Sequence, residues 1–112
     1  MREKYRYNFF LMEARDLLSR MGRLLPALMP QTAASQAYAV DSLVDIAHTL
    51  KGAAAVVGLE EIAKDAIAIE AMLKGLRESS GRLSADQIET MRALHERIAI
   101  AVSALDTSAA AS

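Results

Sequence analysis

Hydrophobic residues recur at alternating steps of three and four along four stretches of the chain, which is the pattern of amphipathic helices. The first stretch covers residues 8–25, and Pro26 then interrupts it by removing a backbone donor. The second covers residues 38–57, and Gly58 follows it as the residue best suited to a left-handed helix end. The pattern therefore predicts two helices in the first half of the chain.

The third and fourth stretches carry helix-start signals of their own. Glu60 and Glu61 stand where the positive end of a helix dipole favours acidic side chains, and this third pattern weakens near Gly75. Ser84 followed by Gln87 has the spacing of a capping box, which predicts that the fourth helix begins there. The apolar stripe of the first helix is Phe10, Ala14, Leu17, Met21, Leu24 and Leu28, and that of the second is Leu43, Ala47, Leu50, Ala54 and Val57. The stripe of the third helix is Leu59, Ile62, Ala66, Ile69 and Leu73, and that of the fourth is Ile88, Met91, Ile98, Val102 and Leu105.

Four amphipathic helices with mostly short connections predict an all-α fold, an antiparallel up-down-up-down four-helix bundle. Residues 31–36 and 78–83 are mostly polar or small and are predicted to be loops. The length of 112 residues suits a single domain, which we place at residues 1–106. Residues 107–112 are small and have nothing to bury, so we expect a flexible C-terminal tail.

Composition narrows the classes of function. The chain has no Cys, which excludes disulfides, thiolate metal sites and cysteine nucleophiles, and we expect no cofactor or metal. With 13 basic and 14 acidic residues the formal charge is −1, too balanced to attract nucleic acid or an anionic membrane over a distance. No apolar run resembles a signal-peptide core or a membrane span, so we expect a cytoplasmic domain that is monomeric when isolated.

His48 lies beside the apolar stripe of the second predicted helix, with Val44, Lys51, Gly52 and Ala55 along the same face. A single histidine at the edge of a core is most often only structural or exposed, so its neighbours decide the interpretation. Gly52 is informative because a glycine inside a helix costs about 1 kcal/mol relative to alanine. Either tight packing against another helix or the approach of a second protein to the imidazole explains it, and the sequence leaves both open.

A neutral imidazole suits nucleophilic phosphoryl chemistry. A carboxylate that accepts the proton of one ring nitrogen fixes the tautomer and leaves the other nitrogen free to attack. Asp45 is close in sequence but lies on a neighbouring face of the helix. Glu70 is the better candidate, because an antiparallel hairpin of the second and third helices brings residues 68–70 alongside His48. Lys51, one turn from the histidine, would offset charge on a phosphoryl group.

The segment His48-Thr49-Leu50-Lys51-Gly52-Ala53-Ala54, followed by Gly58, resembles the signature of histidine phosphotransfer (HPt) domains. That signature is a histidine, two residues, a lysine, a glycine, a small residue and a later glycine. By this resemblance His48 is the phosphorylated residue, Lys51 the cation near the phosphoryl group, and Gly52 the gap that admits a partner.

The resemblance extends toward the phosphotransfer domain of chemotaxis kinases of the CheA type. Phe9-Phe10 with Glu13-Ala14 and Leu17-Leu18 resembles the first helix of that domain, which favours an amino-terminal piece of a larger kinase over a free-standing protein. Ile69-Glu70 falls where that subgroup has an acidic residue that orients the imidazole. Some CheA-type domains also have a second histidine one turn before this acid, where this chain has Ile67, so we expect a smaller hydrogen-bond network.

The resemblance implies a phosphocarrier and not an enzyme. Its partners would be a histidine kinase catalytic domain and a response-regulator receiver domain, which dock on Val44, Gly52 and Ala55 and on nearby parts of the first helix. The chain has no glycine-rich nucleotide loop and cannot itself be an ATP-dependent kinase. The alternative is an HPt-like interaction module that binds a signalling partner without being phosphorylated, although such a module would be expected to have lost the histidine or the lysine. A metal-binding bundle is disfavoured because the paired Glu-x-x-His motifs are absent.

Overall fold

The computed structural model describes residues 7–28, 33–79 and 84–111 and is all-α over those ranges, as predicted. Its four α-helices are α1 (Asn8–Leu24), α2 (Ala33–Val56), α3 (Glu60–Ser79) and α4 (Ala85–Ala111). A short 3₁₀ helix, Leu25–Leu28, continues α1. The four helices form the expected bundle, an elongated molecule of 50 × 20 × 20 Å.

Each helix packs against its neighbours in the sequence, and α4 closes the bundle by packing against α1. The contact between α2 and α3 is the most extensive of all. The apolar stripes meet in one core, because a helix that buries one face gains about 25 cal/mol for each Å² of apolar surface removed from water. Its largest fully buried side chains are Met21, Leu28, Leu43, Leu50, Ile69, Leu73, Met91 and Ile98.

The connection between α2 and α3 is a tight glycine turn. Gly58 has a φ of 76°, the left-handed conformation that side chains with a Cβ disfavour. Its N–H donates to the carbonyl of Ala55 at 3.1 Å, and the N–H of Leu59 donates to the carbonyl of Ala54 at 2.9 Å. These are the two hydrogen bonds of a Schellman motif, so the reversal of the chain satisfies the last carbonyls of α2.

The predicted capping box begins α4. The backbone N–H of Ser84 donates to Oε1 of Gln87 at 2.8 Å, and the backbone N–H of Gln87 donates to Oγ of Ser84 at 3.1 Å. Two donors that the helix itself cannot satisfy are thereby paired.

Three helix ends lie beyond their predicted positions. The second helix begins at Ala33, inside the stretch predicted to be a loop, because alanine-rich sequence favours a helix. The third helix continues through Gly75 to Ser79, since the buried side chain of Leu76 extends the apolar stripe by another turn. Residues 31–32 and 80–83 of the two predicted loops lie outside the described residues.

The fourth helix also continues past Asp106, to Ala111. The sequence predicts a flexible tail there, and the backbone of residues 107–111 is helical. Three of those five residues are alanine, the best helix former, which explains how the helix continues. The flexibility of this tail and the domain boundary at residue 106 stay predictions.

Polar contacts join α4 to both of its neighbours. The buried carboxylate of Asp65 on α3 accepts two hydrogen bonds from the Arg97 guanidinium on α4, one of them from Nε at 3.0 Å. On the other side, Nε2 of His95 lies 2.9 Å from the carbonyl of Leu18 on α1. No helix in the described part of the chain is both long enough and apolar enough to span a membrane.

Candidate functional site

His48 lies in the second half of α2, on a well-packed part of the bundle. Ala47 and Leu50 beside it in sequence are fully buried and anchor this turn of the helix in the core. The imidazole itself is 64% exposed. A ring held at the surface by a packed helix has the placement that a transferable group needs, because little order is lost when a partner docks.

Glu70 on α3 is the carboxylate that contacts this ring. Its Oε2 lies 3.0 Å from Nδ1 of His48 across the α2–α3 interface. The side chain of Glu70 is only 7% exposed, so the carboxylate is buried beneath an exposed imidazole. Asp45, the other acid considered from the sequence, is exposed on α2.

Two lysines complete the surroundings of the carboxylate. Nζ of Lys51 donates to Oε1 of Glu70 at 3.1 Å, from the same helix as His48. Nζ of Lys74, one turn after Glu70 on α3, lies 3.3 Å from Oε2. Three donors therefore converge on one buried carboxylate. The hydrogen-bond network around Glu70 was expected to be small, because Ile67 stands where some CheA-type domains have a second histidine. Lys74 is an additional member of this network.

The pKa of Glu70 is lowered from its usual value. Burial by itself acts to raise this pKa, and the hydrogen bonds from Lys51, His48 and Lys74 outweigh the effect of burial. The carboxylate is therefore ionised near neutral pH and can only accept hydrogen bonds. It follows that Nδ1 of His48 carries the proton and that Nε2 is the nitrogen that can attack.

The surroundings of Gly52 decide between the two explanations for this glycine. A Cβ placed on it would have no atom within 4 Å outside its own stretch of helix. Tight packing against another helix is therefore not the reason for the glycine. What remains is an open space one turn from the imidazole.

The other two predicted docking residues differ in their exposure. Ala55 is exposed. Val44 is only 5% exposed and packs in the core. A partner cannot contact a buried side chain, so Val44 does not form part of an exposed surface as the sequence suggested. The reason is that α2 buries a wide face against both α1 and α3, and this face includes the position one turn before His48.

Sequence reasoning placed docking on nearby parts of the first helix but did not identify an exposed apolar patch between that helix and α2. The side chains of Phe9 and Met12 on α1 and of Val56 on α2 are exposed, and they line a shallow cleft between the two helices. Glu13 and Asp16 of α1 line the same cleft. The available signal was Phe9, a large apolar residue immediately beside the core residue Phe10 and off the buried stripe. We call Phe9, Met12 and Val56 the α1–α2 patch.

Lys74 was also missed, although its spacing of four residues from Glu70 on a predicted helix is the usual signal for an ion pair. His95, the second histidine, is half-buried at the α1–α4 interface and takes no part in this site. Within the described ranges, no cluster of three or more His, Asp or Glu side chains is arranged to hold a metal ion.

A family model for the Hpt domain matches residues 7–106, which include all of α1, α2 and α3 and most of α4. Searches of curated proteins and of solved structures found no match. The family match covers the helical bundle together with His48 and its neighbours, so the chain belongs to the family of Hpt domains, the histidine phosphotransfer modules of phosphorelays.

Proposed function

We propose that His48 accepts a phosphoryl group on Nε2 and passes it to the aspartate of a receiver domain. The observation that carries the proposal is the exposed imidazole whose Nδ1 is held at 3.0 Å by a buried, ionised carboxylate. A fixed tautomer with one exposed lone pair is what an attack on phosphorus requires. The Hpt family match supports the same chemistry.

The bonds, electrons and protons of the transfer are accounted for without further groups from this chain. The lone pair of Nε2 forms a bond to phosphorus while the bond from phosphorus to the leaving oxygen breaks, and that oxygen leaves with the electron pair. The leaving oxygen belongs to ADP when a kinase catalytic domain is the donor, or to an aspartate when a receiver is the donor. The proton on Nδ1 stays in place, and Glu70 balances the positive charge that the phosphorylated ring acquires.

Lys51 neutralises charge near the reacting group. Its Nζ is held 3.1 Å from Oε1 of Glu70 and the side chain is partly buried, so it reaches the site from the same helix as His48. In the phosphorylated state the group on Nε2 carries about two negative charges, and a lysine one turn away offsets part of this charge. The metal and the positioning groups of the transfer are supplied by the receiver.

The docking surface is proposed to comprise Gly52, Ala55 and the α1–α2 patch. Gly52 and Val56 follow His48 at steps of four, so they extend from the imidazole along one side of α2. Exposed apolar side chains grouped beside a reactive group are typical of a protein interaction surface. The likeness of the first helix to CheA-type kinases makes the kinase catalytic domain of such a protein the favoured donor.

The test is phosphorylation of the purified domain by labelled receiver and kinase domains from the same organism, with His48→Gln as the matched variant. We expect an acid-labile, base-stable phosphate on the wild type and none on His48→Gln, whose circular dichroism and Tm should stay close to those of the wild type because the ring is exposed. No label from any donor, with the fold intact and receiver binding retained, would favour the interaction module that works without phosphorylation. Unfolding of His48→Gln would show that the ring is a core residue and contradict the assignment.

A further inference from the structure

Lys74 shares with His48 the same oxygen of Glu70. Nδ1 of His48 lies 3.0 Å and Nζ of Lys74 lies 3.3 Å from Oε2, whereas Lys51 occupies Oε1. We propose that Lys74 is a positioning residue of the phosphotransfer site, which holds Oε2 in place and moderates how strongly the carboxylate retains the proton of His48. The inference rests on the proposed function for its effect on transfer, but its effect on the histidine can be measured without phosphorylation.

The first argument is geometric. Lys51 reaches Glu70 from α2 and fixes one carboxylate oxygen, which by itself leaves the carboxylate able to turn about that contact. Lys74 comes from the same helix as Glu70, four residues later, and binds the second oxygen. With both oxygens held, Oε2 stays directed at Nδ1. Ile67, one turn before Glu70, is apolar and donates nothing, so on α3 this task falls to Lys74.

The second argument concerns charge. The charged groups within one helical turn of the His48–Glu70 contact are Asp45 and Lys51 on α2 and Glu70 and Lys74 on α3. Lys74 draws electron density from the oxygen that faces Nδ1, and its own positive charge opposes a second positive charge on the ring. Removing it should therefore favour the protonated imidazole. The side chain of Lys74 is 46% exposed, so solvent reduces the effect without removing it.

The experiment compares Lys74→Gln, Lys74→Arg and the wild type by NMR titration of the His48 ring in the unphosphorylated domain. We expect Lys74→Gln to move the midpoint of the His48 titration upward by roughly half a pH unit. Lys74→Arg keeps the charge and the donors and should leave the midpoint near that of the wild type. The matched control is Lys64→Gln, which removes the same charge from an exposed position on the same helix and should not move the midpoint.

Phosphoryl transfer supplies the second readout. We expect Lys74→Gln to be labelled on His48 roughly two- to fivefold more slowly than the wild type, the size of effect that loss of a partly exposed ion pair allows. An unchanged midpoint in Lys74→Gln, or an equal shift in Lys64→Gln, would overturn the positioning role. If the wild type takes no label while the midpoint still shifts in Lys74→Gln alone, the proposed function fails and the positioning of His48 by Lys74 stands.

Discussion

At the scale of single residues, Gly52 lowers the stability of its helix but keeps the surface beside His48 open. A glycine within α2 lowers helix stability, and no neighbouring helix approaches it closely enough to require one. Its position one turn after His48 leaves the approach to the imidazole unobstructed. The glycine lowers the free energy of unfolding, and under the proposed function it allows a partner to reach His48.

Substitutions at Gly52 should separate these two effects. We expect Gly52→Ala to raise the free energy of unfolding by roughly 0.5–1 kcal/mol, because the methyl group fits and alanine favours the helix. Gly52→Gln should also fold at least as stably as the wild type, but its longer side chain beside His48 should slow phosphoryl transfer to a receiver. Denaturant unfolding and the transfer rate are the two measurements.

Gly75 on α3 provides the matched control, since a Cβ there would also have no atom within 4 Å. Gly75→Gln should show the same gain in stability with transfer unchanged. A normal transfer rate in Gly52→Gln would remove the argument that this glycine admits a partner.

Among the elements, the α2–α3 hairpin determines whether a site exists. His48 and Lys51 lie on one helix and Glu70 and Lys74 on the other, so their contacts depend on how far the two helices are shifted along each other. The left-handed turn at Gly58 sets that register with two backbone hydrogen bonds. The chemistry of the site is therefore tied to the geometry of the turn.

We expect Gly58→Ala to lower the free energy of unfolding by about 1–2 kcal/mol, because a residue with a Cβ is strained at a φ of 76°. For a domain of this size each kcal/mol corresponds to about 4 °C in Tm, which thermal unfolding will resolve. Gly58→Asn should lose less, since asparagine tolerates the left-handed conformation. An unchanged Tm in Gly58→Ala would mean that the turn relaxes without cost and does not set the register.

In the molecule as a whole, the bundle buries the ionised carboxylate of Glu70 beneath the exposed imidazole of His48, and this makes stability depend on pH. The pKa of Glu70 in the folded protein lies below the ordinary value of 4.5. The unfolded chain therefore binds this proton more readily than the folded one. The stability contributed by the charged form is complete above pH 4.5 and is lost as the pH falls through the lower pKa of the folded state.

Thermal unfolding of the wild type and Glu70→Gln across the acidic range tests this dependence. We expect the Tm advantage of the wild type to shrink as the pH is lowered from about 5 and falls through the lowered pKa of Glu70, because protonation removes the charge that glutamine also lacks. Glu89→Gln removes an exposed acid on α4 and should show little change in Tm at any pH. A constant difference between the wild type and Glu70→Gln over this range would contradict the lowered pKa.

Much of the architecture could be predicted from the sequence, because helices and their ends depend on residues that lie close together in the chain. Helical periodicity marked the four core stripes, and the glycine after α2 and the capping box before α4 marked two helix ends with the hydrogen bonds later observed. The pairing of Glu70 with His48 followed from counting residues on either side of a turn. The outer ends of α2, α3 and α4 were less predictable, because a few tenths of a kcal/mol for each residue decide where a helix stops.

By itself the sequence determined the helices, the residues that line the core and the histidine on which the proposed function rests, since each of these follows from spacing within one segment. Only the tertiary structure decided that Gly52 faces open space, that Val44 is buried and that the α1–α2 patch is exposed. It alone showed that Lys51 and Lys74 also bind the carboxylate of Glu70, beside the predicted contact with His48. The physical reason is that exposure and hydrogen bonding between helices depend on which neighbours cover each face, and those neighbours come from distant parts of the chain.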